Sequence, residues 1–334
     1  MGEKPIIEVR YPLERGRLTL RTDADWDRDI EPVRADRAGG RFEFRPPAGT
    51  SFFYFKPLVH DDAGLHWALG ENSLCLPDAA PATVVHPHFF EEPGCTECTV
   101  AERRSRETAD DGYRFRVFLP PGYHENTLAR YPVVYMQDGQ NLFFPEESFG
   151  GAHWRVRETL EALDSMSLIR KTVVVGVYPR DRMHDYTRPG YEAYGRFLVR
   201  ELKPWIDSTY RTLPGPEETA VLGSSLGGVV SFYLAWEHPE VFGMAGCLSS
   251  TFGFKDDLML RVTNEPRRKV RFYLDSGWPR DNYEVTRAMR DRLAARGYRS
   301  GRDLFHLAYP EAQHDERAWA GRLHVPFQWF FRPA

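Results

Sequence analysis

Residues 219–232 read TAVLGSSLGGVVSF, and the organisation of the chain follows from this stretch. A short apolar run, AVL, meets the turn GSSLG, and residues 229–236 that follow are able to continue as a helix. The order of strand, tight turn and helix predicts a G-x-S-x-G nucleophile elbow with Ser225 at its apex. Such a turn strains the serine backbone, so the positions two before and two after it must be small, as Gly223 and Gly227 are.

The residues after the serine matter for the same chemistry. Gly228 is expected to let the helix pack closely on the strand, and the helix N-terminus is expected to point backbone N–H groups at a developing oxyanion. A five-residue glycine and serine pattern also occurs by chance in many chains, so the strand before it and the helix after it carry the prediction.

Composition limits the function classes. At 334 residues the chain is one large domain or two ordinary ones, and 42% hydrophobic residues are ample for a packed core. The net charge of −4 gives no basic field for nucleic acid, and no apolar run is long enough to span a bilayer. The N-terminus, MGEKPIIEVRYPLERG, has no apolar core of signal-peptide length, which predicts a cytoplasmic protein without a membrane partner.

Cysteines and histidines are the candidate metal ligands in this sequence. Cys95 and Cys98 form a C-x-x-C without a second pair or suitably spaced histidines, which favours two thiols with no special role. Cys247, in MAGCLSS, is predicted to be a buried free thiol. His86 and His88 are interpreted as solvent-facing or lining side chains. The sequence therefore predicts neither a metal site nor an organic cofactor.

The N-terminal part reads as an all-β sandwich of immunoglobulin size. Short runs of β-forming residues are separated by turn signals such as AGG and PPAG, and they predict strands at 6–12, 17–22, 41–46 and 51–59. Residues 77–94 are rich in proline and small residues and are predicted as a linker. We expect a sandwich domain over 1–90, with a linker to about residue 97.

From about residue 98 to 334 the pattern changes to alternating strands and helices. Apolar runs predict strands at 113–119, 133–136, 172–177, 220–222, 244–248, 270–274 and 304–308. Helices are predicted at 154–163, 197–210, 229–236 and 285–295. Continuous apolar strands between helices predict an α/β architecture with a mostly parallel sheet, buried on both faces, whose site lies at the carboxyl ends of the strands.

A serine nucleophile needs a histidine base further along the chain. His314 lies in the loop after the last predicted strand, where a base can reach the elbow, and it is favoured over His238, His306 and His324. The orienting acid should follow the preceding strand, in RFYLDSGWPRDN. Asp281, further out on that loop, is favoured over Asp275 at the strand end.

Several stretches together resemble the putative-esterase family of α/β-hydrolases, namely FLPPGY, VVYMQDGQNLF, RFLVRELKPWID, GSSLGG, FYLDSG and QHDERAW. The family includes enterochelin-type siderophore esterases, feruloyl and acetyl-xylan esterases and the antigen-85 mycolyltransferases. The resemblance implies Ser225 as nucleophile, His314 as base, and the backbone N–H groups of Leu226 and Gln140 as the oxyanion hole. The family's acid position falls nearest Asp281, and some siderophore esterases use a serine–histidine pair alone.

The N-terminal stretches LRTDADWDRDIEP, GGRFEFRPPAGTSFFYFKPLV and LGENSLC resemble the early-set sandwich modules that precede many glycan-active enzymes. Some of those modules bind glucans through exposed tryptophans, and here Trp26 and Trp67 are the available ones. A structural module that walls one side of an active site is favoured over a glycan-binding one.

Substrate contacts are predicted from position. Asp138 lies beside the proposed oxyanion loop and either touches a substrate hydroxyl or hydrogen-bonds the loop backbone. The segment YPRDRMHDYTRPGY should border the site, with Arg182, Tyr186 and Arg188 as candidates to meet an anionic or aromatic acyl group or simply to be solvated. Trp154 either lines the pocket or packs at the start of a helix.

These observations predict a serine carboxylic-ester hydrolase that acts on a small-molecule ester through an acyl-enzyme. A catecholate siderophore ester is the favoured substrate, and a feruloyl or acetyl sugar ester is the alternative. From another class, the rival is a non-catalytic glycan-binding protein. The sequence leaves the oligomeric state open, a dimer included.

Overall fold

The computed structural model describes residues 4–44, 46, 49–77, 82–90 and 112–333, and the backbone alone of residues 98–103. It divides into two compact units. The first consists of Met1–Thr96, Pro120–Arg130 and Glu161–Leu168, and the second of Glu97–Leu119, Tyr131–Leu160 and Ile169–Ala334. The expected domain boundary near residue 97 stays a prediction.

The first unit contains a two-sheet sandwich. One sheet has the order β4-β5-β1-β9, and the other has the order β3-β2-β6-β7 with β8 paired to β6. Apolar side chains of both sheets share one core, among them Val9 of β1 and Phe55 of β6. The strands are β1 Ile6–Arg10, β2 Arg17–Thr22, β3 Asp25–Ile30, β4 Arg34–Asp36, β5 Gly39–Glu43, β6 Phe53–Asp61, β7 Gly64–Trp67, β8 Ser73–Cys75 and β9 Thr83–Val85.

Within the sandwich, the apolar strands were predictable and the short polar ones were not. The predicted strand over 17–22 is confirmed as β2. β3 (DWDRDI) and β4 (RAD) have no apolar alternation that would mark them. β9 lies inside the predicted linker, and that part of the linker prediction is wrong because Ile7 of β1 pairs with Thr83 in parallel.

The second unit is built on an eight-stranded sheet, β10-β11-β13-β12-β14-β15-β16-β17. β10 and β11 run antiparallel to their neighbours, and all the other pairs are parallel. The predicted fold class is therefore confirmed. The strands are β10 Cys98–Arg103, β11 Tyr113–Phe118, β12 Val133–Met136, β13 Val173–Val177, β14 Thr219–Ser224, β15 Met244–Leu248, β16 Arg271–Trp278 and β17 Leu304–Pro310.

The α-helices lie between and after these strands. They are α1 Val156–Ser165, α2 Arg182–Asp185, α3 Gly190–Phe197, α4 Lys203–Thr209, α5 Leu226–Glu237, α6 Leu258–Asn264, α7 Tyr283–Ala295, α8 Glu316–Arg322 and α9 His324–Phe331. Within the described ranges, none of them has the length and apolar character needed to cross a bilayer.

The helix predicted over 197–210 begins earlier than expected and is not uniform. α3 starts at Gly190 and is joined to α4 by a π-helical turn, Leu198–Leu202. Pro204 follows this turn, and since proline has no N–H to donate, a regular α-helix cannot pass through it with all its bonds. A π turn is a common place for such an adjustment.

Candidate active site

Ser225 lies at a sharp turn between β14 and α5, with φ 55° and ψ −121°. This backbone conformation is rare for a residue with a side chain. The turn needs its glycines, because a Cβ on Gly223 would lie 2.5 Å from the carbonyl oxygen of Gly227. The predicted elbow is therefore the local structure of this segment.

Gly228 serves a different contact from the one expected. A Cβ there would lie 2.0 Å from Oγ of Ser250, whereas the nearest β14 atom, the carbonyl oxygen of Gly223, would be 3.2 Å away. The glycine thus makes room first for the side chain of Ser250, in the loop after β15, and only then for the strand.

His314 lies in the loop after β17, and its ring contacts both other predicted triad residues. Nε2 is 3.0 Å from Oγ of Ser225, and Nδ1 is 2.5 Å from Oδ1 of Asp281. Because an ionised carboxylate only accepts hydrogen bonds, Nδ1 carries the proton and Nε2 presents its lone pair to the serine hydroxyl. The histidine side chain is 38% exposed, and the Asp281 side chain is 1% exposed.

The loop that carries His314 must reach back across the sheet, since β15 and β16 separate β17 from β14. It is attached to the end of β16 on the way. Glu311, with φ 62°, donates its N–H to the carbonyl oxygen of Trp278 at 2.8 Å. A Cβ on Gly277 would lie 2.1 Å from the carbonyl oxygen of Ala312, so this close approach requires glycine.

Asp281 is held on its second oxygen as well. Oδ2 accepts hydrogen bonds from Oγ of Ser249 at 2.6 Å and from the backbone N–H of Gly277 at 2.8 Å. Donors on Oδ2 leave Oδ1 free to accept from His314. The structure therefore brings Ser225, His314 and Asp281 together in the order that the sequence predicted.

Asp275, the other candidate acid, has different partners. It is fully buried, and its carboxylate accepts from Nε of Arg322 at 3.1 Å and from the hydroxyl of Tyr273 at 2.9 Å. Burial raises the pKa of the Asp275 carboxyl to about 6. Within the described ranges Asp281, and not Asp275, hydrogen-bonds the ring of His314.

The other histidines downstream of Ser225 lie elsewhere. His238 directly follows α5, and burial lowers its pKa. His306 is within β17, and burial lowers its pKa too. His324 is the first residue of α9. The preference for His314 among the four agrees with these positions.

The two predicted oxyanion donors lie at the ends of neighbouring strands. Leu226 is the first residue of α5, and Gln140 is in a 3-10 turn, Gly139–Asn141, that follows β12. β12 pairs with β14, so both donors lie at the carboxyl edge beside the elbow. Their role in binding an oxyanion stays a prediction.

Three of the predicted substrate contacts form a cluster with one another. The carboxylate of Asp138 accepts from Nε and Nη2 of Arg182, at 2.8 and 3.0 Å, and its backbone N–H donates to the hydroxyl of Tyr186 at 2.9 Å. Tyr186 is fully buried, and Arg182 keeps more than a third of its side chain exposed. A Cβ on Gly227 would lie 3.3 Å from Oδ2 of Asp138, which places this ion pair against the elbow.

Trp154 and Arg188 lie outside that cluster. Trp154 is buried just before α1 and packs on Trp319, with ring centroids 5.7 Å apart. Trp319 in turn packs edge-on against the ring of His314, at 5.0 Å. Trp154 therefore supports His314 indirectly, through Trp319. Arg188 forms an ion pair with Asp257, with Nη1 and Oδ2 2.8 Å apart.

Ser249, Trp319 and Arg322 are parts of the site that the sequence did not single out. Ser249 follows β15 directly, and the other two lie on α8. Trp319 lies within the family-like stretch QHDERAW, which is the one signal that pointed to it.

The cysteines and the paired histidines have no site around them in the described structure. Cys247 is buried and free, as predicted. Cys95 lies outside the described residues, and Cys98 is described by its backbone alone. His86 is exposed, whereas His88 is buried rather than solvent-facing. Within the described ranges, no group of three or more His, Cys, Asp or Glu side chains is arranged to bind a metal ion.

Known proteins resemble this chain in sequence and in fold. It is 26% identical to the uncharacterized protein YbbA of Bacillus subtilis over 157 residues, 43% of this chain and 58% of that protein. The chain spans about half the length of the curated relatives that it matches first.

Two solved structures share the fold at low identity. The enterobactin esterase FES of Shigella flexneri superposes with a TM-score of 0.57 at 16% identity, covering 96% of this chain and 91% of its own. The ferulic acid esterase AmCE1/Fae1A of Anaeromyces mucronatus superposes with a TM-score of 0.53 at 18% identity, covering 70% of this chain and 90% of its own.

The family assignment rests on a longer match. Residues 106–330, more than half of the chain, match the profile of the family described as putative esterase. The elbow, the histidine loop and the aspartate loop all lie within the matched residues. The chain belongs to the putative esterase family.

Proposed function

We propose that this protein hydrolyses carboxylic esters through an acyl-enzyme. The observation that carries the proposal is the unbroken hydrogen-bonded chain from Asp281 through His314 to Ser225. A hydroxyl beside an imidazole whose other nitrogen is held by a carboxylate is the arrangement that activates serine.

The reaction then proceeds in two halves. Ser225 Oγ attacks the ester carbonyl while Nε2 of His314 takes its proton, and the backbone N–H groups of Leu226 and Gln140 stabilise the oxyanion. The tetrahedral adduct collapses, and the alcohol leaves with the proton from His314. Water, deprotonated by the same nitrogen, attacks the acyl-enzyme, which releases the acid and restores the serine hydroxyl.

For the substrate we propose an aromatic acyl ester, with a catecholate siderophore ester first. Large apolar side chains are exposed in the segments that follow β12, β13 and β15 and at the end of β16, beyond the carboxyl ends of these strands, where the elbow also lies. They are Phe149 (81% exposed), Met183, Phe254 and Trp278. Exposed apolar side chains at the edge of the sheet that carries the site favour an apolar ligand. Full-length similarity to enterobactin esterase supports the catecholate class.

A feruloyl or acetyl sugar ester is the second candidate. The ferulic acid esterase neighbour supports it, although that similarity covers 70% of the chain, against 96% for enterobactin esterase. An aromatic feruloyl group would use the same exposed apolar side chains. A small acetyl group would not, so an assay can distinguish a feruloyl ester from an acetyl ester as the substrate.

Glycan binding without catalysis is the candidate from another class. Trp26 and Trp67 lie 6.2 Å apart in the sandwich, and sugars commonly stack on such rings. However, the guanidinium of Arg21 lies 5.2 Å from the Trp67 ring centroid and covers one of its faces. The triad geometry has no purpose in this candidate, so we rank it below the esterase.

The test measures hydrolysis of p-nitrophenyl acetate, a feruloyl ester and a catecholate trilactone by three proteins. These are the wild type, Ser225→Ala and Ser231→Ala. Ser231 is a matched control, since it is a buried serine on α5 whose hydroxyl has no hydrogen-bond partner among the described residues. We expect activity in wild type and Ser231→Ala, loss in Ser225→Ala, and the highest kcat/KM on the catecholate ester. Activity that survives in Ser225→Ala contradicts the mechanism, and a preference for acetate contradicts the aromatic substrate.

A further inference from the structure

Ser249 is a fully buried serine that none of the predicted roles includes. Its hydroxyl oxygen lies 2.6 Å from Oδ2 of Asp281 and 3.0 Å from Nε1 of Trp319, and it is hydrogen-bonded to Nη2 of Arg322. Its backbone adopts the left-handed conformation, with φ 44°. A residue with a side chain keeps such a backbone only where its surroundings hold it there.

The direction of the Ser249 hydroxyl follows from its neighbours. An indole N–H and a guanidinium can only donate hydrogen bonds, so Trp319 and Arg322 occupy the two acceptor positions of the serine oxygen. The single hydroxyl hydrogen must then point to the remaining partner, the carboxylate of Asp281. The hydrogen bond to Asp281 is therefore set by two donors that lie on α8.

Arg322 is itself fixed, which makes this arrangement rigid. The side chain is buried, and its Nε donates to Asp275 at 3.1 Å. Its Cζ lies 5.3 Å from the ring centroid of Tyr309. Nη2 also lies 3.5 Å from Oδ2 of Asp281, so one positive charge stands near both buried carboxylates. A buried carboxylate needs such partners to stay ionised.

We propose that Ser249 is a positioning residue for the triad acid: its hydroxyl, oriented by Trp319 and Arg322, fixes Oδ2 of Asp281 so that Oδ1 faces His314. This inference rests on the proposed function, because it assigns Ser249 a role only through Asp281. It differs from a packing role, since it requires the hydroxyl group and not merely the volume of the side chain.

The first test is Ser249→Ala, with Ser250→Ala as the matched control. Ser250 is the next residue, it is equally buried, and its hydroxyl has no partner among the described residues. We expect Ser249→Ala to lower kcat on a p-nitrophenyl ester by roughly 10- to 100-fold, the value of one hydrogen bond to a charged group, with KM unchanged. Ser250→Ala should keep the wild-type kcat. An unchanged kcat in Ser249→Ala overturns the inference.

A second variant and the melting temperature distinguish the effect of losing the hydroxyl from loss of folding. Glycine accepts φ 44° without strain, so Ser249→Gly removes the hydroxyl while relieving the backbone. We expect Ser249→Gly to lose kcat as Ser249→Ala does, even at the wild-type melting temperature. Recovery of kcat in the glycine variant overturns the inference, since strain and not the hydroxyl would then be the cause.

A double-mutant cycle with Asp281→Asn tests the route. If Ser249 acts through Asp281, adding Ser249→Ala to Asp281→Asn lowers kcat little further, so the two losses do not multiply. Losses that multiply overturn the inference, although Ser225→Ala would still be inactive and the proposed function would stand. If Ser225→Ala keeps activity, the proposed function fails, and the inference fails with it.

Discussion

Asp275 and Asp281 share one guanidinium: Nε of Arg322 lies 3.1 Å from the first carboxylate, and Nη2 lies 3.5 Å from the second. The first carboxylate belongs to β16 and the second to the loop beyond it. Only the loop position brings a carboxylate oxygen to Nδ1 of His314 in the described structure. Two acids six positions apart thus have separate functions, one in the core and one at the proposed triad.

The two acids are therefore expected to differ in mutant kinetics. Asp281→Asn should lower kcat by roughly 10²–10⁴-fold. The amide oxygen would accept from Ser249 and Gly277, so the amide NH2, a donor, would face Nδ1 of His314 and favour the wrong tautomer. Asp275→Asn, measured in the same steady-state assay, should lower kcat far less. The reverse ranking would show that Asp275 orients the base.

The stability of the fold should depend on pH through Asp275. Its pKa is raised by burial to about 6 in the folded chain, so between about pH 4 and pH 6 the folded state holds a proton that the unfolded state has lost. Asp275 therefore favours folding at low pH, and this contribution, on the order of 3 kcal/mol, disappears as the pH rises through 6.

Urea unfolding at pH 4, 5, 6 and 7 measures this effect as a difference between wild type and Asp275→Asn. Asparagine does not titrate, so the wild-type free energy of unfolding should fall relative to that of the variant as the pH rises. A constant difference across the range would mean that the pKa of Asp275 is the same in the folded and unfolded states.

Gly223→Ala should inactivate the protein and destabilise it. The new Cβ would meet backbone at 2.5 Å, so the elbow must move and carry Ser225 away from His314. Gly321→Ala is the matched control, because that helical glycine has open space around it, and alanine there should add up to about 1 kcal/mol of stability. An active Gly223→Ala protein would mean that the elbow tolerates a side chain.

Arg182→Lys tests whether the ion pair with Asp138 supports catalysis. Lysine cannot make the two parallel hydrogen bonds of the guanidinium, and Asp138 is a buried carboxylate beside the elbow. If Arg182→Lys shifts the elbow by about 1 Å, we expect kcat/KM of the variant to fall by up to roughly 100-fold. Arg287→Lys, in an exposed pair with Glu284, should keep wild-type kcat/KM. Equal kcat/KM values for both variants would show that the ion pair between Arg182 and Asp138 does not support catalysis.

The predictability of the fold follows burial. The strands at 133–136 and 244–248 are buried on both faces, and their continuous apolar runs gave the observed bounds. β4 and β8 are three residues long, and pairing with a neighbour, rather than their own sequence, makes them strands. A local sequence pattern indicates which residues are buried, but it does not indicate which segments pair as strands.

The candidate site divides in the same way. Ser225 was recognisable because its turn requires glycines nearby in the sequence, and His314 because it follows the last strand. Ser249 gave no signal, since its hydrogen bonds come from residues 70 and 73 positions away. The pairing of Asp138 with Arg182 was hidden for the same reason, as 44 positions separate them.

The long reach of the histidine loop has a thermal consequence. His314 crosses three strand spacings, roughly 14 Å, from β17 to the serine, and contacts in the loops rather than sheet pairing keep it there. Such a segment opens locally at a lower free-energy cost than the sheet unfolds. The loop should therefore detach on warming while the sheet is intact, and heat inactivation should precede melting. This heat inactivation should be reversible, since the loop can return to the site on cooling.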